Sequence, residues 1–317
     1  MSILLKKAGI LTTVQDLGRT GFQRFGINPN GAMDRTATRL RNVLLGNDEN
    51  EAVLETHFPA PQILFEEDAV FALCGADFGA KIGERKIENW RPYFVYKGDI
   101  LSFNGKFSGN RAYLAVKGGF KTEKWLGSAS TNLKAGIGGF EGRKLGENDR
   151  IFFNQITKRK GQKANYKISF SLIPFYSSSP TVRVTKGAEF EDLTKPSKET
   201  FVLEDYKIRH ESDRMGFRLE GAGLVFRQKQ ELLSSAVNFG TIQLLPNNQL
   251  IILMADHQTS GGYPRIAHLI ENDLPLVAQL GANDKIAFEI ISNEEAENLK
   301  IEFENELNWL KVGVRQK

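Results

Sequence analysis

The sequence predicts a mainly β protein built as two units, and three observations carry that expectation. A chain of 317 residues exceeds one domain of about 150 residues and suits two. Thirty glycines, 22 phenylalanines and frequent Asn, Asp and Gly turns punctuate short apolar stretches, the pattern of strands in a barrel or sandwich. A turn-then-strand pattern also recurs, in Lys97-Gly-Asp-Ile-Leu-Ser-Phe103, Glu147-Asn-Asp-Arg-Ile-Phe-Phe153 and Ala282-Asn-Asp-Lys-Ile-Ala-Phe288. Each copy opens a strand directly from a Gly-Asp or Asn-Asp turn. The irregular spacing speaks for two related barrels and against a solenoid or propeller, although such turns occur throughout β proteins.

In chain order, the first-half strands are Ala69-Val-Phe-Ala-Leu-Cys74, Tyr93-Phe-Val-Tyr96, Ile100-Leu-Ser-Phe103 and Arg111-Ala-Tyr-Leu-Ala-Val116. The second half adds Thr181-Val-Arg-Val184, Gly223-Leu-Val-Phe226, Thr241-Ile-Gln-Leu-Leu245 and Gln249 to Met254. Apolar residues in these segments alternate or run in short blocks, which favours strands over helices. Three short helices are expected. Asp34 caps Arg35 to Leu45, with Gly46-Asn47 as the stop. Ser292 and Glu295 form a capping box for a terminal helix that presents Leu299, Phe303 and Leu307 on one face. The third covers Ile266 to Glu271. The polar, basic stretch Thr157-Lys-Arg-Lys-Gly-Gln-Lys-Ala-Asn165 and then Ser177-Ser-Ser-Pro180 read as a joint, with a boundary near residue 175.

Composition removes several function classes. Hydrophobic residues at 41% and charged residues at 25% are ordinary globular usage, not disorder. Apolar runs such as Leu250-Ile-Ile-Leu-Met-Ala255 fall far short of the ~20 residues of a membrane span, and the first residues do not read as a secretory signal. One cysteine, Cys74, offers no intrachain disulfide and no Cys cluster. The expectation is a soluble, cytoplasmic protein. Residues 1–160 carry 24 Lys and Arg against 17 Asp and Glu, while residues 161–317 carry 18 against 21. A net charge of +4 is too mild for nucleic-acid binding, but a basic half would attract a small carboxylate or phosphate. An uneven, solvated surface explains the same numbers.

The strong catalytic motifs are missing. The single Gly-Lys pair, Gly105-Lys106, precedes Phe107, so no phosphate loop exists. Gly136-Ile-Gly-Gly-Phe-Glu141 fails the dinucleotide fingerprint at its last position, and there is no nucleophile elbow or His-Glu-x-x-His. His57, His210, His257 and His268 have no ligand spacing, so no metal site is expected.

Four glycine-rich polar segments remain. In Gly9 to Gly26, continuing to Asn30-Gly-Ala-Met-Asp34, Asp16 and Arg19 are close enough to pair, and glycines let backbone amides approach a ligand. The same pair would also simply pin a long loop. Gly127-Ser-Ala-Ser-Thr-Asn132, with Gly136 to Arg143, would form an anion nest or an ordinary surface loop. Ser212-Asp-Arg-Met-Gly-Phe-Arg218 sets Arg214 and Arg218 beside Asp213, suited to carboxylate recognition or to a surface ion pair. Met254-Ala-Asp-His-Gln-Thr-Ser-Gly-Gly-Tyr-Pro264 leaves an apolar strand and concentrates Asp256 and His257 among hydroxyls and glycines, where a rigid scaffold presents a site.

Together these segments resemble one family. Thr12-Thr-Val-Gln-Asp-Leu-Gly-Arg19, Gly31-Ala-Met-Asp34, Ala72-Leu-Cys-Gly-Ala-Asp77 and Arg111-Ala-Tyr-Leu-Ala-Val-Lys-Gly-Gly119 carry the likeness in the first half. Leu126-Gly-Ser-Ala-Ser-Thr131, Ser212 to Leu219 and Gln258-Thr-Ser-Gly-Gly-Tyr-Pro264 continue it. The chain is similar to the KipA-like family, the C subunits of bacterial 5-oxoprolinase, also labelled as the second allophanate hydrolase subunit or as biotin-dependent carboxyltransferase. The matches run from about residue 9 to residue 296. Asn30, Glu231-Leu-Leu-Ser-Ser-Ala-Val237, Leu244 to Ile251 and Gln279-Leu-Gly-Ala-Asn283 depart from the family pattern, which puts substrate specificity in question.

The resemblance implies two cyclophilin-like β-barrel domains with a few short helices, 1–175 and 176–317, the second ending in the terminal helix. It implies a KipI-like partner and a LamB/YcsF-like subunit, together opening 5-oxoproline to glutamate at the expense of ATP, with magnesium. A similar region in urea carboxylase moves a carboxyl group from biotin to urea. No methionine here precedes a lysine, so no covalent biotin attachment is expected, and a carboxyltransferase role would need a separate carrier. The Ser–Ser–Lys amidase signature is missing too. A non-catalytic regulatory subunit acting on a KipI-like protein is the remaining alternative.

Phosphorylating a lactam carbonyl oxygen needs positive charge around phosphates and the developing oxyanion. The candidates are Arg19, Arg143, Arg214 and Arg218 for anion stabilisation, with Asp16 and Asp256 for proton transfer or magnesium. Substrate or ATP contacts are expected at Asp77, Ser128, Ser130, Thr131 and Asp213, and along His257, Gln258, Thr259, Gly261, Gly262 and Tyr263.

Overall fold

The computed structural model describes residues 1–154, 168–228 and 232–315. The expected joint Thr157 to Asn165 lies outside the described residues. Two compact units are present: Met1–Arg19, Asp34–Pro174 and Asn305–Lys317 form one, and Thr20–Met33 with Phe175–Glu304 form the other.

The first unit contains β1 (Ser2–Lys7), β2 (Thr12–Gln15), α1 (Arg35–Leu45), β3 (Val53–Thr56), β4 (Gln62–Phe65), β5 (Ala69–Asp77) and β6 (Ala80–Ile82). It continues with β7 (Arg85–Lys86), β8 (Pro92–Val95), β9 (Ile100–Phe103), β10 (Ser108–Val116) and β11 (Arg150–Phe152). These strands make a six-stranded sheet ordered β11-β1-β4-β9-β6-β7 and a five-stranded sheet ordered β2-β3-β10-β5-β8. Neither closes, so the expectation of two barrels is corrected to one. Closure needs a continuous ladder with matched tilt and stagger. Here one sheet tapers to the three-residue β6 and two-residue β7. The two sheets share a core that includes Ile3, Val14, Leu54, Leu73 and Leu114, and Phe65 of β4 meets Phe71 of β5 at 5.3 Å between ring centres.

The other face of the five-stranded sheet is polar and covered. Register places Thr13 opposite Glu55, Glu55 opposite Tyr113, and Tyr113 opposite Cys74, one row across four strands. Helix α1 packs on β5 and β10. Its start is the expected one: Asp34 Oδ1 accepts from Ala37 N–H at 2.8 Å, and Gly46 ends it with φ 70°.

The second unit contains β12 (Thr181–Lys186), α2 (Lys195–Leu203), β13 (Tyr206–Ile208), β14 (Gly216–Glu220), β15 (Ser235–Ala236), β16 (Thr241–Leu244) and β17 (Leu250–Leu253). It then adds β18 (Ser260–Gly261), β19 (Arg265–Leu269), α3 (Leu274–Ala278), β20 (Lys285–Ile290) and the start of α4 (Asn293–Arg315). Seven of these strands close a barrel, β12-β19-β16-β17-β14-β13-β20, sealed by a parallel pairing of β12 with β20. Strands β15 and β18 form a separate two-stranded ribbon. Helix α2, which the sequence reading did not anticipate, is capped by Thr194 and stacks Phe201 on Phe288 of β20 at 4.8 Å. The helix expected over Ile266 to Glu271 is instead β19, a single 3-10 turn at Glu271–Asp273, and α3. Its Ile266, Ala267 and Leu269 all join the core of this unit, and Thr241 and Ile242 of β16 pair with its His268 and Ala267. Ser292 caps α4 as expected, and Leu307 is its one fully buried residue.

The recurring turns are identical in detail. Gly98, Asn148 and Asn283 all take positive φ, and the following Asp99, Asp149 and Asp284 each use Oδ2 to accept the N–H three residues earlier. Each turn also exchanges two backbone bonds with a neighbouring strand through Phe65, Leu5 or Ile208. A third turn position with positive φ is what makes Gly or Asn necessary there.

Candidate functional site

The first unit brings Asp16, Arg19, Ser128, Ser130 and Thr131 together. Asp16 follows β2 and is fully buried. Its Oδ1 accepts from Gly18 N–H at 2.8 Å, Ser128 Oγ at 2.7 Å and Ser130 Oγ at 2.5 Å, while Oδ2 accepts from Ala129 N–H at 2.6 Å. Four donors saturate this carboxylate, which therefore shapes the 128–131 loop around itself. Arg19, 2% exposed, donates from Nη2 to the Ser130 carbonyl at 2.6 Å and lies 4.9 Å from the Trp125 ring centre. Thr131 donates to the Val14 carbonyl at 2.8 Å, tying the loop to β2. Gly138 and Gly139 press on this loop: a Cβ at Gly138 would sit 2.2 Å from the Ser130 carbonyl oxygen, and one at Gly139 would overlap Thr131 Oγ1.

The second unit brings Arg214 and Asp256 together at the barrel end where β14 begins and β17 stops. Arg214 donates from Nε to Asp256 Oδ2 at 2.9 Å and from Nη2 to Oδ1 at 3.0 Å. Nη2 also reaches the Gly31 carbonyl at 2.6 Å, and Asn30 Nδ2 donates to Asp256 Oδ1 at 2.8 Å. Asn28 Nδ2 donates to the Asp256 carbonyl at 3.1 Å. The pair thus anchors residues 28–31, where Asn30 and Gly31 both take positive φ. Next to it, buried His257 donates from Nδ1 to the Gln258 carbonyl at 2.5 Å. Gln258, Thr259, Gly261 and Gly262 are half-buried, and Tyr263 is 45% exposed. This loop is tied down by the β15–β18 ribbon and by Gln243 of β16, whose Nε2 donates to the Tyr263 carbonyl at 3.1 Å.

Residues 25–290 match the family described as Carboxyltransferase domain, subdomain A and B. The chain belongs to that carboxyltransferase family. It is 36% identical over 305 residues to the 5-oxoprolinase C subunit of Haemophilus influenzae, covering 96% of both chains. It is 38% identical over 291 residues to the 5-oxoprolinase C subunit of Escherichia coli, covering 92% of this chain and 91% of that one. The crystal structure of the K. lactis urea amidolyase superposes with a TM-score of 0.90 at 29% identity, over 98% of this chain but 20% of that one. The resemblance drawn from the sequence motifs agrees with these relatives.

The other predicted residues of this carboxyltransferase-family chain make local contacts of their own. Arg143 is exposed and already engaged: Nη1 and Nη2 donate to Asp149 at 2.6 and 2.9 Å, and Nε to Glu141 at 3.1 Å. The Arg143 bonds hold the Asp149 carboxyl below its usual range. Asp77 closes a turn by accepting Gly79 N–H at 2.8 Å, and Asp213 does the same for Met215 N–H at 2.8 Å. Arg218 is exposed on β14. Sequence reasoning noted Asn30 as a departure from the family pattern but not its bond to Asp256, and it missed Asn28, Gln243, Glu55, Tyr113 and Arg41. The signal available for Glu55 and Tyr113 was a carboxylate directly after Val53 and Leu54 in β3, and a phenol within the apolar run Ala112–Val116 of β10. Tyr113 donates to Glu55 Oε2 at 2.8 Å, and burial together with the Glu55 charge drives its phenol well above its ordinary pKa.

Among the described residues, no group of three or more His, Cys, Asp or Glu side chains could hold a metal ion. No described helix is long and apolar enough to cross a membrane.

Proposed function

We propose that this chain is a subunit of an ATP-dependent 5-oxoprolinase that converts 5-oxo-L-proline to L-glutamate, acting with KipI-like and LamB/YcsF-like subunits in activating the lactam. The observation that carries the reading is coverage. The chain aligns with nearly all of two 5-oxoprolinase C subunits, at 96% and 91% of their lengths, but with only 18% of the Lachancea kluyveri urea amidolyase.

The residues present do not form a nucleotide site on their own. Arg214 is paired with Asp256, Arg143 with Asp149, and Asp16 is saturated by four donors. ATP and magnesium are therefore assigned to a pocket shared with the KipI-like subunit. Within this chain, Asp16 and Arg19 are positioning residues for the 128–131 loop, and Asp256 with Arg214 positions the 257–263 loop. Thr259, Gly261, Gly262 and Tyr263 supply the accessible hydroxyls and backbone amides that would meet the substrate. The change-over between compact units at Pro174 and Phe175 supports a domain boundary near residue 175.

The deciding experiment measures glutamate formed from 5-oxoproline and ATP by the three purified subunits, with each omitted in turn. Loss of activity when this chain is left out supports the proposal, and undiminished activity without it refutes it. The second reading, carboxyl transfer from a separate biotin carrier, is favoured by the family match over residues 25–290. It predicts carboxylation of urea or a similar amide by a carboxybiotin-loaded carrier, with no need for 5-oxoproline.

A further inference from the structure

The first unit covers the outer face of one sheet and leaves an apolar band on the outer face of the other. Helix α1 packs on β5 and β10, where it buries even the Arg41 side chain. On the six-stranded sheet, Ile3, Leu5, Ile63, Phe65, Leu101 and Ile151 join the core, so the residues alternating with them point outward. A sheet face that meets water ordinarily carries polar side chains at such positions. Here they include Leu4, Leu64 and Ile100. Register sets Arg150 opposite Leu4, Leu4 opposite Leu64 and Leu64 opposite Ile100, one row across four adjacent strands. Leu4 and Leu64 are half-buried, Ile100 is 41% exposed, and Phe152, beside the row on β11, is 54% exposed. Scattered apolar side chains on a surface are ordinary, but a contiguous band of them marks a contact surface.

The band has a depression on one flank and charge on the other. Ser2, Leu64, Glu66, Lys97, Arg150 and Phe152 line the depression, of about 590 Å³. Glu66 is already engaged there, accepting from Arg150 Nε at 2.7 Å, Arg150 Nη2 at 2.8 Å and Ser2 Oγ at 2.7 Å. Glu67 is the other carboxylate of the lining. On the opposite flank, Lys81 of β6 and Lys86 of β7 face each other across the strand pair, a like-charge arrangement that costs stability in a sheet. Lys81 also lies opposite Ser102 of β9, two residues along from Ile100, so both ammonium groups border the band. Among the described residues, neither lysine has an ion-pair partner.

Apolar residues kept out of the core, beside paired lysines kept without an acid, call for a partner that supplies both kinds of contact. A second copy of this face is a poor match, because it brings two more lysines and a Glu66 that Arg150 already holds. We propose that the outer face of the six-stranded sheet docks a partner subunit through an apolar ridge edged with carboxylates. The ridge lies along Leu4, Leu64 and Ile100, its end fills the depression beside Phe152, and its carboxylates meet Lys81 and Lys86. This assignment rests on the multi-subunit reading given above.

The test measures the affinity of the full purified chain for the purified KipI-like subunit and for the purified LamB/YcsF-like subunit, at low and high salt. Ile100→Asp is expected to weaken one of these complexes about tenfold or more. Lys81→Glu combined with Lys86→Glu should weaken the same complex by about tenfold and flatten its salt dependence. Lys81→Arg combined with Lys86→Arg, which keeps both charges, should bind as the unmodified chain does. The lysine variants carry the test should Ile100→Asp fail to fold. If the unmodified chain binds and both the Ile100→Asp and the double Glu variants bind as tightly, the docking face is overturned and the multi-subunit reading stands. If the unmodified chain binds neither subunit, that reading falls and takes this proposal with it. A dimer of the chain alone that Ile100→Asp dissociates would give the face to a second copy and overturn the proposal.

Discussion

Arg214 and Asp256 grip each other through two hydrogen bonds of 2.9 and 3.0 Å, with side chains only 9% and 12% exposed. The same carboxylate oxygen that meets Arg214 Nη2 also accepts from Asn30, so one ion pair fixes both the barrel end and residues 28–31. Removing one partner strands the other charge in a nearly dry position. Arg214→Ala is expected to cost about 3 kcal/mol, read from the urea midpoint of unfolding. Asn30→Ala, which removes a single charge-assisted bond, should cost about 1–2 kcal/mol. Equal losses for the two variants would deny the ion pair its leading role.

Asp16 makes a parallel prediction in the other unit. Asp16→Asn turns one acceptor oxygen into a donor facing Ala129 N–H or the two serine hydroxyls. A cost of about 2–3 kcal/mol is expected, with faster amide exchange at Ala129 and Ser130 as its local signature. Ser128→Ala should cost about 1 kcal/mol.

Two glycines of one loop should respond differently. Gly136 and Gly138 both take positive φ, 66° and 73°. A Cβ at Gly136 meets open space, so Gly136→Ala should cost only the left-handed strain of about 1–2 kcal/mol. At Gly138 the added carbon would press on the Ser130 carbonyl oxygen at 2.2 Å and Arg19 Nη2 at 3.2 Å. Gly138→Ala should therefore lose at least twice as much, measured by the same denaturation assay.

His268 sets a pH dependence. Burial first, and Arg265 second, lower its pKa below the ordinary 6.5. The unfolded chain thus takes up a proton at a pH where the folded chain does not. The contribution is fully present above about pH 6.5 and is lost as pH falls from there through the folded value. Unfolding midpoints compared at pH 7.5 and 5.5 should drop less in His268→Asn than in the unmodified protein.

Much of this architecture was legible in local chemistry. Asp34, Gly46 and Ser292 mark helix ends because capping depends on neighbours a few residues away. The turns at Asp99, Asp149 and Asp284 were visible for the same reason, and all three begin strands. Sheet closure was not visible. The same turn serves the open β9 and β11 and the barrel strand β20, because turn chemistry reports where a strand starts and not what its far edge pairs with. The candidate sites divide in the same way. Asp16 with Ser128 and Ser130 drew notice through composition, and Arg214 and Asp256 through their glycine-rich settings. Their partnership, and that of Asn30 with Asp256, spans 42 and 226 residues of sequence and needed coordinates. Arg41 was hidden because an arginine in a helix ordinarily faces water, as its helix neighbours Arg35 and Arg39 would lead one to expect.

The interleaved chain path bears on how the protein is made. Unit one is begun by Met1 but includes Asn305–Lys317, so a ribosome must translate roughly 130 further residues after Pro174 before that unit can be finished. At about 5–20 residues per second, the nascent chain waits on the order of 6–25 s with its first two sheets emerged and their closing helical segment still unborn. During that interval Glu49, just after α1, has not yet met Lys311 of the late-arriving helix, and the first unit waits incomplete, which is the circumstance in which chaperones find their clients.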